Sequence, residues 1–117
     1  MRYMLLIHDE ESIFATMSPQ ETQKLMAAYN TFTEELRASG AFRDAARLRP
    51  VATASTVRLR GGKTVTTDGP FAETKEQLGG YYLIDVKNLD EAIKWASQIP
   101  SAKLGCVEVR PVWEMSE

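Results

Sequence analysis

The chain has 117 residues, 44% hydrophobic and 26% charged, with a formal net charge of −2 at pH 7. Those figures fit one globular domain over residues 1–117, with enough apolar residues for a core and no positive footprint for nucleic acid or an anionic membrane, so neither is expected as a partner. One cysteine, Cys106, and one histidine, His8, exclude an internal disulfide, a cysteine-based zinc site and a histidine cluster.

Residues 3–8 form a nearly continuous apolar run of strand length that passes straight into His8-Asp9-Glu10-Glu11. A signal peptide would carry a longer apolar stretch and a small-residue cleavage site, and no stretch has the length of a membrane span, so the cytoplasm is the expected location. Residues 9–17 read as an acidic loop. Ser18, Pro19 and Glu21 then form a capping box with proline at the first helical position. In the helix beyond it, Leu25, Tyr29, Phe32 and Leu36 share one face, and Gly40 supplies the stop.

Beyond Gly40 the period changes. Residues 47–51 read as a short strand broken at Pro50, hence an edge strand or a bulge. Ser55, Val57 and Leu59 alternate with Thr56, Arg58 and Arg60, and Gly61-Gly62 turns that strand into residues 63–67 as a tight hairpin. Residues 81–86 form a further strand. Asn88 and Glu91 repeat the capping spacing at a second helix, with Leu89, Ala92, Ile93 and Ala96 as its face and Pro100 beyond its end. Residues 106–112 form the last strand, at whose start Cys106 is expected to pack as a small buried hydrophobe, with a reactive thiol as the alternative.

The order β-α-β-β-β-β-α-β predicts an α+β domain on a ferredoxin-like plan with an inserted hairpin. Two helices cover one sheet face. The strands are apolar on both, since Tyr3, Leu5 and Ile7 alternate with Met4 and Leu6, and Tyr82, Ile84 and Val86 alternate with Tyr81 and Leu83. The second face needs cover, and another copy of the chain can supply it, which predicts a homodimer.

The densest chemistry lies in Asp68-Gly69-Pro70-Phe71-Ala72-Glu73-Thr74-Lys75-Glu76, with Gly79-Gly80-Tyr81-Tyr82 just beyond. This segment resembles the motif of the YCII-related proteins of the DGPF type. The likeness extends over residues 1–6, 68–82, 88–100 and 107–114, where Val-Glu-Val-Arg-Pro-Val-Trp-Glu matches the ending of that family. The resemblance implies a dimeric α+β barrel. In the wider group a histidine near the start of the first helix is proposed to work with an aspartate. The first helix here has no histidine, so of that dyad only Asp68 has a counterpart, with His8 as a substitute.

Read by chemistry, Gly69 permits a positive φ and Pro70 stiffens the chain after it, holding Phe71 as an anchor. Asp68, Glu73 and Glu76 with His8 are the expected catalytic acids and bases; Phe71, Lys75, Tyr82 and Arg110 are the expected ligand-binding groups. The competing reading makes Asp-Gly-Pro turn chemistry, the loop charges solvated, His8 a strand-end residue paired with Asp9, Glu10 or a backbone carbonyl, and Glu108 with Arg110 an ion pair. Arg43/Asp44 and Arg47/Arg49 either hold an anionic ligand or form the solvated side of an edge strand. Trp95 and Trp113 read as packing aromatics. No phosphate loop, dinucleotide fingerprint, metal-ligand array or nucleophile elbow occurs, so neither metal nor cofactor is expected. Two functions remain: a small cofactor-independent acid/base enzyme (lyase, isomerase or dehydrohalogenase) acting on a small organic molecule, or a non-catalytic ligand-binding or regulatory module, which the resemblance associates with alternative sigma factors.

Overall fold

A computed structural model describes residues 1–115. Strand β1 (Arg2–Asp9) is followed by a short helix α1 (Glu11–Ala15) and a long helix α2 (Pro19–Ser39). Then come β2 (Phe42–Arg47), β3 (Ser55–Arg60), β4 (Lys63–Asp68), β5 (Gln77–Asp85), α3 (Leu89–Gln98) and β6 (Cys106–Pro111). Four strands form an antiparallel sheet in the order β2-β5-β1-β6, and β3 pairs with β4 as a separate hairpin. This is the expected α+β, ferredoxin-like plan with an inserted hairpin.

Local chemistry explains the helix ends. Ser18 Oγ accepts from the Glu21 amide at 3.1 Å and the Glu21 carboxylate accepts from the Ser18 amide at 3.2 Å, so two orphan donors are satisfied reciprocally. Gly40 closes α2 at φ 84°, and Asn88 Oδ1 accepts from the Glu91 amide at 3.0 Å. The core lies between these helices and one sheet face. Tyr3, Leu5 and Ile7 of β1 and Tyr82 and Ile84 of β5 meet Phe32 and Leu36 of α2 and Ala92 and Ala96 of α3. Leu5, Leu36 and Ile84 are fully buried, each contributing about 1.5–3 kcal/mol.

Several boundaries differ from the sequence reading. Residues 9–17 include α1, whose five residues are too few to show a helical period. The second strand is Phe42–Arg47, not residues 47–51; Pro50 instead leads into a 3₁₀ turn over Val51–Thr53. Strand β5 begins at Gln77, four residues before Tyr81, because Gly79 and Gly80 are strand residues. On α3, Ala92 and Ala96 are buried, while Leu89 and Ile93 are about half exposed.

Among the described residues no helix covers the opposite sheet face. Met4 pairs with Leu83 and Leu6 with Tyr81, all four half-buried, and Glu108 and Arg110 of β6 continue those rows. The β3–β4 hairpin leaves Val57 and Leu59 well exposed.

Candidate functional site

A cavity of about 640 Å³ opens between α1 and α2 on one side and β1, β2 and β5 on the other. Ile7, Phe14, Leu25 and Leu48 give it apolar walls, and Asp9, Tyr29, Thr33, Arg47, Tyr82 and Ser101 bring polar groups to them. Its volume suits a small organic molecule.

Asp9 is the unusual wall residue. The period of two that buries Tyr3, Leu5 and Ile7 puts Asp9 on the same face, so a carboxyl occupies the next position in a row of core side chains. It is 6% exposed, and its Oδ1 has no hydrogen-bond partner among the described residues. Burial pushes the Asp9 carboxyl up; the nearby Ser101 hydroxyl opposes this, the Glu76 carboxylate adds to it, and His8 opposes it more weakly. Ser101 is itself buried in a 3₁₀ turn over Pro100–Lys103, and the Tyr29 hydroxyl donates to its Oγ at 2.5 Å. Thr33 Oγ1 and the Tyr82 hydroxyl share a hydrogen bond at 2.7 Å deeper in the same wall. Burial also pushes both tyrosines up, holding them neutral.

Glycine geometry makes room beside the carboxyl. Between the pairs Ile7/Gly80 and His8/Leu78 the register shifts by one, and Gly79 is the extra residue of that bulge. Gly79 lines the cavity, and a Cβ on it would lie 3.6 Å from Asp9 Oδ2. On Gly80 a Cβ would lie 2.7 Å from the Ala46 carbonyl oxygen, so β2 and β5 can approach here only because that residue is glycine. A carboxyl whose neutral form is favoured, held in a largely apolar cavity, can accept and return a proton as a general base and acid.

The residues singled out from sequence lie in three places. Tyr82 lines the cavity. His8 points to the uncovered sheet face, one residue and one face away from Asp9, with its Nε2 3.4 Å from Glu108 Oε1; Arg110 Nε is 3.9 Å from the other Glu108 oxygen. Glu76 bridges the two sides: half-buried, it accepts from the Cys106 thiol at 3.6 Å and is close enough to raise Asp9. Asp68, Glu73 and Lys75 are exposed beyond the sheet.

Gly69 has φ 96°, as its turn position requires, but Phe71 is 82% exposed and anchors nothing in the core. Cys106 is likewise exposed, because it lies on the uncovered face beside His8; partial desolvation of the thiol and the Glu76 carboxylate both push it up, which works against thiolate reactivity. Trp95 packs edge-on against Phe32, whereas Trp113 is largely exposed.

Asp9, Tyr29 and Ser101 form the polar centre that the sequence reading did not assemble. The signal for Asp9 was present: extending the strand alternation two residues past Ile7 carries it to the core face. Ser101 had none, since its place depends on how the turn after α3 meets β1. Among the described residues no group of three or more His, Cys, Asp or Glu side chains could hold a metal ion, and no helix is long and apolar enough to cross a membrane.

A family model described as YCII-related domain matches residues 1–116. An uncharacterised protein of Rhizobium meliloti (strain 1021) is 40% identical over 114 residues, covering 96% of this chain and 92% of its own. Among solved structures, the 5-chloro-2-hydroxyhydroquinone dehydrochlorinase of Burkholderia phenoliruptrix AC1100, in complex with 2,5-dihydroxybenzoquinone, is similar with a TM-score of 0.53. The alignment covers 97% of this chain and 94% of that one at 17% identity, a likeness of fold.

Proposed function

This chain belongs to the YCII-related domain family, and from that premise we propose that its helix-side cavity is the active site of a small acid/base enzyme working on a small organic molecule without a cofactor. The observation that carries this reading is Asp9, a buried carboxyl with an unpartnered oxygen on the wall of an otherwise mostly apolar cavity. In its ionised form Asp9 removes a proton from an activated C–H or O–H. The electron pair left behind moves into a conjugated carbonyl, or expels a leaving group that departs with its own pair. In an isomerisation the same carboxyl returns the proton at another atom. Tyr29 and Ser101 orient it, and Tyr82 brings a further hydroxyl to the cavity. That the dehydrochlorinase of similar fold binds a hydroxylated quinone makes such rings the first ligands to try.

The test is calorimetry with small phenols and hydroxyquinones, 2,5-dihydroxybenzoquinone among them, on wild type, Asp9→Asn and His8→Gln. The expected result is a pH-dependent binding event in wild type that His8→Gln keeps and Asp9→Asn loses. For any ligand that is turned over, Asp9→Asn should cost about 10²–10⁴ in rate. Binding abolished by His8→Gln but indifferent to Asp9→Asn would move the site to the uncovered sheet face, where His8, Glu108 and Arg110 lie.

We also propose that the chain is a homodimer through that uncovered face. Met4, Leu6, Tyr81 and Leu83 form its apolar rows, and a stable association needs roughly 1,000 Å² or more of such surface covered. Sedimentation should give a dimer at micromolar concentration. A stable monomer would overturn this assembly without touching the cavity.

A further inference from the structure

Among the described residues that line the cavity, Arg47 is the one cation. It closes strand β2, where pairing with Gly80 puts it on the helix side of the sheet together with Ala45, the partner of Tyr82. From there the guanidinium reaches across to α2, and its Nη1 donates to the thioether of Met26, another wall residue, at 3.7 Å. A thioether is a weak acceptor and a guanidinium has five N–H donors, so most of its hydrogen-bonding capacity is unused.

Three other arginines are engaged, while Arg49, Arg58 and Arg60 lie outside the cavity lining and, among the described residues, also have no carboxylate within 4 Å. Arg43 approaches Asp85 at 3.5 Å and donates to the carbonyls of Gly40 and Phe42; Arg2 is held by Glu114; Arg37 lies over the Phe42 ring. Arg47 has no carboxylate within 4 Å among the described residues, although two acids share its cavity. Of these, Asp9 is buried on the sheet, and Glu11 uses its Oε2 to accept from the Val51 amide at 3.0 Å. An exposed cation at the edge of a largely apolar cavity thus has no carboxylate partner among the described residues.

We propose that Arg47 is the specificity residue of this cavity, holding the carboxylate or phenolate of a small anionic ring compound while the ring lies against the apolar walls. This deepens the active-site reading above and rests on it. A planar fork of donors suits a carboxylate, and a charge-assisted bond is stronger than a neutral one.

The experiment compares salicylate with its neutral relative salicylamide by calorimetry on wild type, Arg47→Gln, Arg47→Lys and, as a control on general surface charge, Arg49→Gln. Wild type is expected to bind salicylate about tenfold or more tightly than salicylamide, the size of effect that a charge-assisted pair gives. Arg47→Gln should abolish the preference while leaving salicylamide affinity within about twofold. Arg47→Lys, which keeps the charge and loses the fork, should retain part of it, and Arg49→Gln should retain all of it. Equal binding of the two probes, or a preference that survives in Arg47→Gln, overturns the anchor and leaves the cavity reading intact. Failure of both probes to bind wild type at millimolar concentration overturns the anchor, and the hydroxyquinone titrations on Asp9→Asn decide the cavity reading separately.

Discussion

Gly105→Ala should strongly destabilise the fold, while Gly79→Ala should leave the fold intact and impair the cavity. Gly105 precedes β6 and packs against the end of β1: a Cβ on it would overlap the His8 carbonyl oxygen and lie 3.1 Å from the Asp9 Cα. Neither neighbour is the free end of a flexible side chain. His8 and Asp9 pair with β5, and His8 also with Cys106 of β6, so backbone must move and Asp9 moves with it. Overpacking of this kind costs about 1–3 kcal/mol or more, which for a chain of this size lowers the melting temperature by on the order of 10 °C.

At Gly79 the added methyl would meet Asp9 Oδ2 at 3.6 Å, an ordinary contact, and its φ is not positive. The melt should therefore match wild type or rise slightly, since alanine restricts the unfolded chain. The space beside the carboxyl is filled, however, so ligands that engage Asp9 should bind more weakly. Thermal melts and calorimetry on the two variants check both halves. A Gly105→Ala protein that melts with wild type would contradict the packing described at the end of β1, and undiminished binding by Gly79→Ala would take the ligand away from Asp9.

Both glycines show where sequence and structure part. Features set by local chemistry were legible: the Ser18 and Asn88 caps, the Gly40 stop, the Gly61-Gly62 hairpin and the alternation along β1 each come from a few neighbouring residues. Features set by a distant strand were not. Gly79-Gly80 falls outside the strand expected over residues 81–86, yet both lie in β5, one as a bulge and the other where β2 packs too close for a Cβ. Strand β2 itself shows no period of two: only Phe42 and Ala45 are half-buried. The two candidate bases, His8 and Asp9, are adjacent in sequence. His8 stands out as the side chain that titrates near neutrality, and Asp9 reads with the acidic residues after it, although β1 puts the two on opposite faces. What distinguishes Asp9 from Glu10 is the core it faces, which depends on α2 and on the turn carrying Ser101.

Asp9→Asn should be more stable than wild type at neutral pH, and its advantage should vanish in acid. Burial raises the Asp9 carboxyl, so the folded state holds that proton more tightly than the unfolded chain does. Folding therefore takes up a proton between the unfolded pKa and the raised folded one. The stability that protonated Asp9 contributes is fully present below the unfolded pKa and is lost as pH rises through the folded value. Asparagine has nearly the same shape and no such titration. Asp85 and Glu114 have the opposite sign: the N-terminal amine lowers the first and Arg2 the second, so their contributions are lost as pH falls. Both are common to the two proteins and cancel in the difference. Urea midpoints measured from about pH 3 to pH 8 should thus separate progressively as pH rises and level off once Asp9 is ionised in folded wild type. A difference independent of pH would mean that Asp9 is not held toward its neutral form, and the general-base assignment would lose its physical basis. The same ionisation that destabilises the fold is the one that arms the base, so the residue that weakens the protein near neutrality is the one expected to act there.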